Sequence, residues 1–112
     1  MRYVLLLWGD ETAELAMSNE ERGAVIDAHR AFSAGMRERG QLVESDPLEP
    51  SASAVLVRPD GSVSDGPVLE TKEQLGGYYV VEVATREEAI ELARQVPPSP
   101  GLVVEVRRAP AL

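Results

Sequence analysis

The run Tyr3-Val4-Leu5-Leu6-Leu7-Trp8, closed by Gly9-Asp10, is apolar at every position. Its length and the turn residues behind it predict a strand. Alternate side chains of a strand point to opposite faces of its sheet, so this strand needs cover on both sides. That demand limits what the rest of the chain can build.

Ser18-Asn19-Glu20-Glu21 has the S-x-x-E form of a capping box, in which serine and glutamate satisfy free amides at a helix start. It predicts a helix running to about Arg39, with Gly40 as its left-handed cap. Val25, Ala28, His29, Phe32 and Met36 share one stripe at helical spacing, with Glu20, Glu21, Asp27, Arg30, Arg37 and Glu38 mainly away from it. Gln41–Glu44, followed by Pro47 and Pro50, suits a short or edge strand. Ala54–Arg58 predicts another strand, Pro59-Asp60-Gly61-Ser62 a turn, and Val63-Ser64 a short returning arm.

After a second break at Asp65-Gly66-Pro67, Thr71-Lys72-Glu73-Gln74 predicts a single helical turn stopped by Gly76-Gly77. Tyr78–Val83 is a strand. Thr85-Arg86-Glu87-Glu88 caps a second helix, with Ala84 and Ala89 as a small staple and Ala89, Ile90, Ala93 and Val96 as its apolar stripe. Pro97–Gly101 ends that helix, and Leu102–Arg107 is the last strand. Residues 1–108 read as one domain and 109–112 as a short tail.

The element order is β-α-β-(hairpin)-β-α-β. Two helices on one face of an antiparallel sheet give an α+β, ferredoxin-like arrangement. Two helices cover only one face, yet the first strand is apolar on both, and Val81, Val83 and Val103 add to the surplus. A second copy of the sheet is the simplest cover, so a homodimer through the open sheet face is expected.

The formal charge is −8 over 112 residues, and Arg107-Arg108 is the only adjacent basic pair. Direct nucleic-acid binding needs clustered Lys and Arg to displace counterions and is not expected. The acidic balance also disfavours anionic membranes, and the longest apolar run is too short to span a bilayer. With no cysteine, disulfides, thiolate metal sites and cysteine nucleophiles are excluded. A lone histidine makes a transition-metal site unexpected, and no calcium-loop, Walker or nucleophile-elbow spacing occurs. The chain reads as cofactor-free, without a metal, and by default cytoplasmic.

Few residues stand out for chemistry. His29, the only histidine, lies on the apolar stripe of the first helix and suits proton transfer near neutral pH; a partly buried histidine with one satisfied hydrogen bond is the alternative. Asp65 could orient its imidazole or lock the turn before Gly66-Pro67. Lys72 could present a cation to an anionic ligand or belong to a solvated loop. Trp8 and Tyr78 could wall a pocket or pack at a dimer interface.

The stretch Asp65-Gly66-Pro67-Val68-Leu69-Glu70-Thr71-Lys72-Glu73-Gln74-Leu75-Gly76-Gly77-Tyr78-Tyr79 resembles the signature of the YCII-related family, DGPF type, with Val68 where phenylalanine is usual. Met1–Leu6, the Glu87–Glu91 helix segment and Val104–Arg107 also resemble that family. The resemblance implies a ferredoxin-like fold paired face to face, as in the dimeric α/β-barrel group. It also implies a histidine–aspartate pair, matching His29 and, through the DGPF motif, Asp65. Family genes often lie beside extracytoplasmic-function sigma factors. The function expected is therefore cofactor-free acid–base chemistry on a small polar organic ligand through His29 (a lyase, isomerase or hydrolase). A ligand-binding or regulatory accessory module, linked to sigma-factor-dependent transcription, is the alternative.

Overall fold

The computed structural model describes residues 1–112. The chain runs through β1 (Arg2–Asp10), α1 (Glu11–Leu15), α2 (Asn19–Glu38), β2 (Leu42–Pro47), a 3-10 turn at Ser51–Ser53, β3 (Val55–Val57), β4 (Val63–Asp65), β5 (Glu73–Glu82), α3 (Arg86–Arg94) and β6 (Val103–Ala109). The fold is α+β. Four strands form one antiparallel sheet in the order β2-β5-β1-β6, and β3–β4 is a separate hairpin.

The doubly apolar strand is where its pattern demands, bonded to β5 on one side and β6 on the other. Its odd residues Tyr3 and Leu5 are buried with Tyr79, Val81 and Val83 of β5 and the segment just after it. Over them lie Phe32 and Met36 of α2, Ala89 and Leu92 of α3, and Val96 just beyond α3. Leu5, Met36 and Val81 are fully enclosed, each contributing about 1.5–3 kcal/mol of burial free energy. The even residues Val4 and Leu6 pair with Val80 and Tyr78 on the opposite face, where no helix lies, and all four stay partly exposed.

That open face leaves a mark on the shape. The chain measures 42 × 41 × 18 Å and exposes 7508 Å², where a compact monomer of this mass exposes about 6,000 Å². The hairpin adds to the excess, with Val55, Val57 and Val63 each at least 60% exposed.

The caps form as the sequence dictates. Ser18 and Glu21 make a reciprocal capping box at α2, Gly40 takes a positive φ behind it, and Thr85 caps α3. In the β3–β4 turn the Asp60 carboxylate accepts from the Ser62 amide at 2.8 Å.

Several expectations are corrected. There are three helices rather than two: Asp10 caps the five-residue α1 by accepting from the Ala13 amide. Residues 71–74 do not form a helical turn. Glu73–Leu75 instead extend β5 alongside Asp10–Trp8, and the Gln74 side chain satisfies the carbonyls of Leu69 and Thr71. Gly76-Gly77 does not stop the chain but carries a bulge opposite Leu7 and Trp8. Ala28 is exposed rather than on the buried stripe of α2, and Ala84 is exposed, its amide bonded by Glu88 instead of stapled to Ala89. Val81 and Val83 belong to the helix-covered core, whereas Val103 is exposed opposite Trp8, so the apolar surplus rests on Val4, Leu6, Val80 and Val103. No helix is long and apolar enough to cross a membrane.

Candidate functional site

A cleft of about 790 Å³ opens where the middle of α2 passes the end of the sheet. Its helix wall carries Arg22, Val25, His29, Ser33 and Arg37; its sheet wall carries Leu7, Trp8, Gly77, Tyr78 and Tyr79. Glu14 of α1 and Ser99 of the loop before β6 close one end.

His29 is half-buried in this cleft, and its Nδ1 lies 2.6 Å from the Tyr79 hydroxyl. The two rings stack at 6.0 Å with a 12° tilt, and Phe32 meets the other side of Tyr79 edge-on at 5.2 Å. The ring's tautomer sets which group donates: with the proton of the neutral ring on Nε2, the phenol donates to Nδ1. Burial holds the imidazole below its ordinary pKa, because a charged ring loses water there. Burial also raises the Tyr79 phenol, partly offset by a hydrogen bond with Ser33. Both groups are thus neutral near pH 7.

Glu14 is the titratable group that sequence reading missed. Burial raises its carboxyl above the usual range, followed by the neighbouring charge of Glu11 and a smaller effect of Asp10; Ser99 and Arg22 act in the opposite direction. It escaped notice because Glu11-Thr12-Ala13-Glu14-Leu15 has no helical stripe, and five residues are too few to show one. Its carboxylate fills a notch beside Gly9, where a Cβ would overlap Oε1. Gly9-Asp10 read only as a turn signal.

The expected site residues divide. Tyr78 lines the cleft, and its hydroxyl lies 3.3 Å from Asp46 and 3.4 Å from Glu44, serving one carboxylate at a time. Burial first, then those two negative charges, push its phenol up. Trp8 also lines the cleft, while its indole donates to Glu105 at 2.9 Å. It is shared with a second hollow of about 520 Å³ walled by Leu48, Pro50, Pro67, Val68 and Leu75.

Asp65 and Lys72 are not brought to His29. Asp65 is exposed on β4 opposite Val55, and neither residue lines the cleft. Lys72 is exposed in the bend before β5, where its carbonyl accepts the amide of Glu11 at 3.1 Å. The hydroxyl that meets the imidazole is Tyr79, which alternation along Tyr78–Val83 places on the buried face of the sheet.

Chemically, the cleft offers a neutral imidazole backed by a phenol, a carboxylate of raised pKa and an arginine-bearing wall. Residues 1–109 match the YCII-related domain. An uncharacterized protein of Rhizobium meliloti (strain 1021) is 36% identical over 99 residues, covering 86% of this chain and 80% of the relative. The chain belongs to the YCII-related domain family.

Proposed function

We propose that the cleft binds a small polar organic molecule and that His29 takes part in a cofactor-free proton transfer on it. The observation that carries this reading is the 2.6 Å contact of His29 with Tyr79 inside the cleft. A ring with one nitrogen held by a phenol keeps a fixed orientation, as a group that handles a proton or a developing charge requires. Arg22, Arg30 and Arg37 on the helix wall favour a ligand carrying negative charge.

The subunit is read as ferredoxin-like, and a second copy as the cover of the open face. The strand order, the apolar set Val4, Leu6, Val80 and Val103, and the excess exposed area support this reading.

The test is an NMR titration of the single imidazole with a panel of small hydroxy, oxo and dicarboxylic acids, followed by turnover assays on those that bind. The reading requires that at least one acid moves the imidazole signals and is turned over, and that His29→Ala abolishes turnover while leaving the assembly intact. Binding that His29→Ala weakens, with no turnover of any acid, would instead favour the accessory-module reading. An imidazole indifferent to the whole panel contradicts the cleft assignment.

A further inference from the structure

We propose that Glu14 is the general base of this cleft, and that its substrates are small carbonyl compounds from which it removes the hydrogen next to the carbonyl while His29 donates to the carbonyl oxygen. This rests on the reading of the cleft given above and names its second catalytic group and its substrate class.

Three observations carry it. Glu14 and His29 line one cleft, from α1 and α2 respectively. The Glu14 carboxylate lies against residue 9, where a Cβ would overlap Oε1, while a Cβ at Gly76 would be in ordinary contact with Oε2 at 4.0 Å. The third is the His29–Tyr79 hydrogen bond, which occupies Nδ1 and leaves Nε2 as the ring's remaining polar atom. With the phenol donating to Nδ1, the neutral ring offers Nε2–H as a donor rather than a base, and the base of the cleft comes from elsewhere.

The groups around Glu14 are Asp10 on β1, Glu11 on its own helix, Arg22 on α2 and Ser99 on the loop before β6. Burial and the two acidic neighbours make its carboxylate a stronger base than an exposed one, while Arg22 and Ser99 limit the effect. A carboxylate base facing a neutral imidazole donor is an established arrangement for enolisation.

The step balances within the chain. The Glu14 carboxylate takes the carbon-bound proton, the C–H electron pair forms a carbon–carbon double bond, and the carbonyl pair moves onto oxygen. The Nε2–H of His29 stabilises that oxygen, and the Glu14 carboxyl, after exchanging its proton with solvent, returns one to the same carbon as the carbonyl re-forms. The outcome is exchange of that hydrogen with solvent, with no oxidant, reductant or co-reactant. Arg22 on the helix wall suits a carbonyl compound that also carries a carboxylate.

The experiment follows exchange of the methyl hydrogens of pyruvate in D2O by proton NMR, with the full chain, Glu14→Gln and His29→Ala. The full chain is expected to accelerate exchange at least tenfold over protein-free buffer, with a rate that climbs with pH through a pKa above the ordinary carboxylate value. Glu14→Gln is expected to lose that acceleration and its pH limb while His29 keeps its titration with Tyr79. Exchange no faster than buffer overturns the carbonyl assignment. Wild-type exchange in Glu14→Gln overturns the role of Glu14 alone, whereas wild-type exchange in His29→Ala removes the reading of the cleft beneath it. Should Glu14→Gln misfold, Glu14→Asp keeps the test: a shortened base slows exchange, and an unchanged rate contradicts the proposal.

Discussion

The Tyr79 hydroxyl on β5 meets Nδ1 of His29 on α2 at 2.6 Å, so the only imidazole in the chain has one nitrogen occupied from within and one left to the cleft. A hydrogen bond donated to the lone pair favours the neutral ring. Tyr79→Phe keeps the aromatic packing and removes only that donor. The His29 pKa should therefore rise toward its ordinary value, read by NMR titration. A fall would mean that the ring donates to the phenol.

Stability should carry the signature of His29. Burial lowers its folded pKa beneath the ordinary 6.5, so the unfolded chain binds the proton more readily and stability is lost as pH falls from about 6.5 through the folded pKa. Urea midpoints at a series of pH values, compared between the wild type and His29→Gln, isolate this part. The variant should show a shallower loss below pH 6.5, and parallel curves would contradict the burial assignment.

Glu14 has the opposite sign. Its folded pKa is raised, so the folded chain holds the proton longer and the favourable contribution is lost as pH rises above the unfolded carboxyl range. Glu14→Gln should raise the Tm near neutral pH, with the gain shrinking as the solution is acidified. A variant less stable at neutral pH would mean that the carboxylate serves the fold.

The helix-covered core should be intolerant of truncation. Met36 of α2 is fully enclosed against the sheet, and Met36→Ala should cost about 2–5 kcal/mol. Ser18→Ala, which removes one arm of the capping box, should cost only about 1 kcal/mol. Denaturant unfolding distinguishes the two, and equal losses would contradict the packing described.

The open face makes its own prediction. Leu6 lies opposite Tyr78, away from the helices, so Leu6→Asp should leave the core folded while converting a dimer to monomers in analytical ultracentrifugation. A wild-type chain that sediments as a monomer would contradict the proposed pairing.

Much of the fold was legible because its signals were local. The apolar run Tyr3–Trp8 marked the central strand, Ser18 and Glu21 marked the start of α2, and Gly40 marked its end. The bend at 71–74 was misread because Thr71 to Gln74 has a capping-box spacing, yet backbone pairing of Glu73–Leu75 with β1 overrides that local preference. The site was legible in part. His29, Tyr78 and Trp8 announced themselves by type and position, but Tyr79 is a core residue by alternation and gains its meaning only from the helix above it. Glu14 depended on a five-residue helix and on the space beside Gly9, neither of which leaves a periodic trace.

The central claim is that His29 presents an Nε2–H to the cleft while Tyr79 holds Nδ1. A long-range proton–nitrogen correlation spectrum of the uniformly nitrogen-15-labelled chain at pH 7.5 reads the tautomer directly, and a single histidine leaves no ambiguity of assignment. The account predicts a neutral ring protonated on Nε2. A ring protonated on Nδ1, or one still charged at that pH, would contradict it.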